Sequence, residues 1–187
     1  MEAVRKTLME KVLYLVPVGE VDEDILTSLC QALEMGFGKR CEVAPALPHP
    51  SYAHSERRQQ YLSSSILRQI GGLDLPRAYR LLGVVDLDLY VPELNFVFGQ
   101  ASMKGKEAII ALPRLRQTFY GLRDDSSLFH ERAVKEAVHE LGHTHGLRHC
   151  PDPLCVMYFS NSLQDTDIKG RVLCSNCQAE LPRKRRS

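Results

Sequence analysis

No apolar run in this 187-residue chain approaches the ~18 residues that a membrane-spanning helix needs, so a helical membrane protein is excluded. The apolar stretch from Val12 to Val18 is short, contains Pro17 and meets Glu20 without a small-residue cleavage pattern. It reads as a strand and not as a signal peptide. Net charge is also scarce: +1 overall, with +4 from Arg183, Lys184, Arg185 and Arg186, which leaves −3 on the rest of the chain. A weakly acidic body is a poor match to a polyphosphate, so no nucleic-acid partner is expected. There is no internal repeat and no low-complexity segment. A composition of 44% hydrophobic and 25% charged residues excludes the disordered and fibrous classes. The length suits one domain, or a domain with a small lobe.

The six cysteines are unevenly spread. Cys30 and Cys41 stand alone and read as small buried hydrophobes, whereas Cys150, Cys155, Cys174 and Cys177 crowd the C-terminal end. Without a secretory signal, disulfides are not expected, and clustered thiols point to metal.

Alternation of strand and helix patterns marks an α/β (α+β) chain. Lys11–Val18 reads as a buried strand. Asp22 offers an N-cap to a helix carrying Ile25, Leu26, Leu29 and Leu33 at helical spacing, and Gly36 and Gly38 end it. Lys39–Pro45 reads as a second strand, and Ala46–His54 as a proline-marked loop. The spacing of Leu62, Ile66 and Ile70 predicts a second helix from about Ser55 to Gly71. Tyr79–Val91, Asn95–Phe98 and Glu107–Leu112 read as three further strands. Two β-α-β steps imply parallel neighbours with helices covering the sheet. Asp86 and Asp88 read as strand-end carboxylates in water.

From about Ser126 the pattern is helical through Leu141 or later. With His139 set at 0° on a helical wheel, His143 falls near ~40°, while Val134, Ala137, Val138 and Leu141 fall between roughly 160° and 260°. The apolar stripe therefore faces the sheet, and two imidazoles one turn apart share the other face, where they can hold a tetrahedral zinc. Glu140 stands beside them. This is the His-Glu-x-x-His arrangement, with Glu140 placed as a general base. Chance produces it in about one scrambled sequence in fifty, so the extension decides. Gly146 can end the helix in the left-handed conformation and return His149 to the metal, which lowers the chance rate to about one in twenty thousand. His145 falls near ~240°, on the core side, and reads as a packing residue. His49, His54 and His130 read as solvated.

Cys150-x₄-Cys155 followed by Cys174-x₂-Cys177 supplies four thiolates for a closed, structural zinc site. A zinc-deaminase reading fails, because it needs Pro-Cys-x-x-Cys, and the Cys174-x₂-Cys177 pair follows Leu173.

The string His139-Glu140-x-x-His143-x-x-Gly146-x-x-His149, with Met157 close behind, resembles the metzincin signature. Its continuation through Cys150, Cys155, Met157, Cys174 and Cys177 resembles the archaemetzincin family of zinc metallopeptidases. The resemblance rests on about 39 residues, with a softer match at Asn95–Gln100. It implies an upper subdomain over residues 11–146, holding a twisted five-stranded mixed sheet, backing helices and the active-site helix. It also implies a lower subdomain over 147–182 with a Met-turn at Met157 and the four-cysteine zinc, flanked by a flexible leader (1–10) and a basic tail (183–187). Asn95, Phe96, Val97 and Phe98 would be the edge strand that receives an extended peptide. Two departures stand out. With a first strand expected near residue 11, no folded prodomain is expected. The position two after Met157, where some metzincins carry a tyrosine that can stabilise the oxyanion, is Phe159, with the tyrosine at Tyr158.

The leading expectation is a cytoplasmic, monomeric zinc metallopeptidase with two zinc ions per chain, acting on a peptide or protein substrate. Water on the three-histidine zinc attacks and Glu140 moves the proton. The competing expectation is a non-catalytic zinc protein that binds peptides along its edge strand, which a cleft plugged by the Ala46–His54 loop would favour. A nucleic-acid module built from the cysteine unit and the basic tail is disfavoured, because the tail has no aromatic partners.

Overall fold

The computed structural model describes residues 10–181, so the expected leader falls largely, and the basic tail wholly, outside the described residues. The first strand, β1 (Val12–Val18), is buried along its whole length. Leu13 and Leu15 join one core layer while Val12, Tyr14 and Val16 join another. A strand covered on both faces needs no polar alternation, which is why it reads as one apolar run. Helix α1 (Glu23–Phe37) is capped by the Asp22 side chain, and Gly38, at φ 57°, ends it in the left-handed region.

Strand β2 (Arg40–Val43) then pairs in parallel with β1. Here one expectation fails. Cys30, on α1, and Cys41, on β2, have Cα atoms 5.3 Å apart and form a disulfide. The parallel β-α-β return lays β2 beside the helix it follows, which brings the two cysteines into bonding range.

Residues 54–62 are not the start of a helix. They form the short strands β3 (His54–Ser55) and β4 (Gln60–Leu62), joined through Gln59 at φ 53°. Helix α2 begins at Ser63 and ends at Gly71, burying Ile66, Leu67 and Ile70. The apolar spacing belongs to α2 alone, because residues 56–59 offer no side chain to the core.

The long strand expected over Tyr79–Val91 is also divided. Strand β5 (Ala78–Val85) stays in the main sheet, while β6 (Leu89–Tyr90) pairs with β4 in a separate three-stranded sheet. The bend between them holds Asp86 and Asp88, which are not free carboxylates in water. Arg116 grips Asp86 at 2.6 and 2.9 Å, and Arg114 grips Asp88 at 2.6 and 2.7 Å.

Asn95–Phe98 makes a single bridge, Val97 to Leu89. The edge strand of the main sheet is instead β7 (Gly99–Ala101), antiparallel to β8 (Glu107–Ala111). The sheet is five-stranded and mixed, in the order β2-β1-β5-β8-β7, with β1, β2, β5 and β8 parallel. Helix α2 covers one face, and α1 with α3 (Ser126–Thr144) covers the other.

Beyond Gly146 regular structure nearly stops. Two six-residue helices, α4 (Leu163–Ile168) and α5 (Ser175–Glu180), are joined by turns around a small buried cluster of Leu147, Cys150, Cys155, Val156, Met157 and Cys177. Among the described residues no helix is long and apolar enough to cross a membrane.

Candidate active site

Helix α3 starts at the Asp125 cap, whose carboxylate accepts from the Leu128 N–H at 2.9 Å. It turns Ala133, Ala137 and Leu141 into the core, His139 and His143 towards residues 147–156, and Glu140 towards Gly99 on the edge strand. Gly146, at φ 88°, reverses the chain, and its N–H bonds back to the His143 carbonyl at 2.9 Å. This reversal carries His149 round to the other two imidazoles.

The geometry at the histidines is specific. His139 donates from Nδ1 to the Val156 carbonyl at 2.8 Å, and His143 from Nδ1 to the Leu147 carbonyl at 2.7 Å. Lys169 Nζ also lies 3.5 Å from His139 Nδ1. That longer approach is read as a charge neighbour, since the ring proton is already given to Val156. With both Nδ1 positions protonated, the neutral rings present bare lone pairs at Nε2. The Nε2 of His143 lies 3.1 Å from that of His139 and 3.2 Å from that of His149. Converging lone pairs repel one another unless a cation sits among them. A tetrahedral zinc at ~2.0–2.1 Å from each nitrogen places them about 3.3 Å apart, so the donor set fits. Burial lowers the pKa of all three histidines, His139 well below its usual range, and the Lys169 charge adds to the lowering. All three are therefore held in the neutral form that a metal takes.

Glu140 is buried against the edge strand. A Cβ at Gly99 would stand 2.7 Å from its Oε1, so only glycine leaves room for this carboxylate. Burial pushes the Glu140 carboxyl well above its ordinary range; Glu136 pushes the same way and Lys169 opposes. Gly142 plays the matching role below the histidines, where a Cβ would overlap the sulfur of the fully buried Met157.

A cavity of about 540 Å³ opens over these groups. Asn95, Phe96, Val97 and Phe98 all line it, although they are not the edge strand, and Phe159 lines it while Tyr158 does not. Phe159 also packs on the His149 ring, with centroids 4.7 Å apart. The Ala46–His54 loop takes no part in the lining, so it does not plug the cleft.

The four thiols gather 3.7 Å apart in the pairs Cys150–Cys174 and Cys155–Cys177, with all four sulfurs within 4.8 Å of one another. Zinc–sulfur bonds of ~2.3 Å set sulfurs about 3.8 Å apart, so this set also fits. The backbone N–H of Cys177 draws the Cys174 thiol down to about 7, whereas burial pushes Cys150 and Cys177 up. His145 stays out of both groups; its ring packs between Phe37 and Tyr79.

The sequence reading missed one buried network. Lys169, 1% exposed, pairs with Glu136 at 2.9 Å, and Thr166 donates to the same carboxylate oxygen at 3.2 Å. One turn away, Arg132 grips Asp167 at 2.6 and 2.7 Å, and Lys135 donates to the Thr166 and Asp167 carbonyls. The wheel held the signal. Arg132, Lys135 and Glu136 fall within ~60° of His139, so the polar stripe begins two turns before the first histidine.

Comparison with known proteins agrees with this geometry. The sequence model of Peptidase family M54 matches residues 72–183. The archaemetzincin of Pyrococcus furiosus is 42% identical over 179 residues, spanning 92% of this chain and 93% of the relative. The crystal structure of the archaemetzincin from Methanopyrus kandleri has a TM-score of 0.80 at 38% identity, covering 91% of this chain and 93% of that one. That from Archaeoglobus fulgidus, complexed with malonate, has a TM-score of 0.79 at 38% identity, covering 91% and 99%. With three histidines and a carboxylate on the cleft and four thiols behind them, this chain belongs to the archaemetzincin family of zinc metallopeptidases.

Proposed function

We propose that the chain hydrolyses peptide bonds in the cleft beside α3, with His139, His143 and His149 holding zinc and Glu140 as the general base. The observation that carries this reading is the convergence of acceptor nitrogens 3.1 and 3.2 Å apart next to a buried carboxyl. Zinc held there supplies Lewis acidity, acidifying water and polarising the scissile carbonyl. Glu140 takes the proton of the attacking water and hands it to the leaving amine.

An extended peptide lies along Asn95–Phe98 and the outer edge of β7, whose backbone pairs with no strand on that side among the described residues. Met157 supports the histidines from below. Cys150, Cys155, Cys174 and Cys177 hold a second, structural zinc with no open position, for two zinc ions per chain. The same reading takes residues 11–146 and 147–182 as upper and lower subdomains of a cytoplasmic monomer, with no nucleic-acid or membrane partner.

The test is digestion of a broad peptide library by the native protein and by Glu140→Gln, with zinc content measured in both. Loss of general acid–base transfer should slow cleavage by ~10²–10⁴-fold while zinc is retained. Equal rates in the two proteins would remove Glu140 from the chemistry.

A further inference from the structure

Each of the three histidines is held by the segment that carries the first two thiols. His143 donates to the Leu147 carbonyl at 2.7 Å, two residues before His149. His149 is covalently followed by Cys150, whose N–H donates to the Met157 carbonyl at 2.9 Å. His139 donates to the Val156 carbonyl at 2.8 Å, and Val156 directly follows Cys155. Val156 is fully buried and pinned from its other side too, where its N–H donates to the Val172 carbonyl at 3.1 Å, two residues before Cys174. The Cys174 N–H in turn points at the Cys155 sulfur, 3.4 Å away. Val156 is thus a rung between the two thiol-bearing stretches, and its carbonyl fixes the tautomer and direction of a histidine.

We propose that the two metal sites are thermodynamically coupled: metal on the four thiols tightens zinc binding at the three histidines, with Val156 and Cys150 as the positioning residues. This rests on the assignment of both donor sets made above. The physical reason is the cost of order. The stretch 147–157 has no regular structure of its own to hold it, so unless the thiols are drawn together, His139 loses a fixed acceptor and His149 a fixed anchor. Groups that orient a metal-bound histidine typically govern 10–100-fold in metal affinity. Coupling between sites is reciprocal, so metal on the histidines must tighten the thiol site by the same factor.

The experiment measures zinc affinity at the histidines by competition with chelators of known strength. In Cys174→Ser and Cys177→Ser, whose changes lie far along the chain from any histidine, binding should weaken 10–100-fold relative to the native protein. The double variant Cys30→Ala/Cys41→Ala, altered at the β2 edge of the sheet, away from β7, should keep native affinity. Weakening there as well would show general destabilisation and overturn the proposal. Should the serine variants fail to fold, the native protein serves alone. Competition for the thiol-bound zinc is measured with the histidine site filled and again after a mild chelator has emptied it. A shift of the same 10–100-fold supports the coupling, and affinities equal within twofold overturn it. Histidines that take up no zinc in the native protein would overturn the site assignment along with the coupling. Lost coupling with both sites filled overturns the coupling alone.

Discussion

Residues 12–144 and residues 147–181 keep their shape by different means. The first region layers a five-stranded sheet between helices and buries two clusters of aliphatic side chains. The second has two six-residue helices, one cluster that includes three of its own thiols, and a polar seam onto α3. Stability in the first comes from apolar area removed from water, roughly 25 cal/mol per Å². A stretch of this length cannot build a comparable core, so it leans on buried ion pairs and, on the function proposed above, on metal held by its four thiols. The site lies where the two meet: the helix comes from the region that folds on its own packing, and the third histidine from the region that does not.

Removing metal from the thiols should break this contrast most sharply. Apparent binding free energies for structural zinc run to about 10 kcal/mol or more. Hydrogen exchange after stripping should therefore show lost protection across 147–181 with β1, β5 and β8 still protected. Uniform loss through the sheet would mean that the two regions fold as one.

Next in size is the seam. Lys169→Met leaves the Glu136 carboxylate buried without its cation, and breaking a buried pair typically costs about 3–5 kcal/mol. Urea unfolding should show that loss, and adding Glu136→Leu should recover most of it. If Lys169→Met alone is harmless, the pair does not hold the second region to α3.

The disulfide sharpens the comparison from the other side. A cross-link between residues 11 apart in sequence is worth about 3 kcal/mol by loop entropy. Thermal unfolding of Cys30→Ala/Cys41→Ala should register that loss in the sheet region, with the protection of 147–181 unchanged. Equal loss in both regions would contradict their separate footing.

The smallest expected effect is a pH dependence at His145. Burial, helped by the Arg80 charge, lowers its pKa from 6.5 to about 4. In the unfolded chain the ring takes a proton near pH ~6.5, whereas the folded protein keeps it neutral. The unfolded state therefore binds more protons between those values, and stability present above pH 6.5 is lost as pH falls towards 4. His145→Phe should flatten the fall in melting temperature over that window while keeping the ring packing. The ring is half-buried, so the change is modest.

Local patterns were legible wherever one element's own side chains decide its structure. The wheel for α3 oriented His139, Glu140 and His143, and the spacing of four thiols identified their cluster. The failures share a cause. The bend after β5 is set by Arg114 and Arg116, about thirty residues further on, so nothing near Asp86 marks it. The Cys30–Cys41 bond depends on β2 lying beside α1, and the Glu136–Lys169 pair on a loop folding back over the helix. Asn95–Phe98, expected as the edge strand, lines the cleft, but the strand begins one residue later at Gly99, where the absence of a side chain lets Glu140 lie close. Partners distant in sequence leave no periodic trace.

The nesting of Met157 against Gly142 has a chemical consequence. The thioether sulfur fills the space that a methyl group on Gly142 would need, so the contact has no room for an added oxygen. Conversion to the sulfoxide makes the side chain polar and larger at the sulfur, and the closed turn cannot accommodate it. Met157 is fully shielded from solvent, so peroxide reaches it only during excursions in which the turn lifts away from the helix. An oxidation during such an opening leaves a turn that no longer closes until the sulfoxide is reduced. In an oxidising medium without sulfoxide reduction, the lifetime of the site is therefore limited by how often that turn opens.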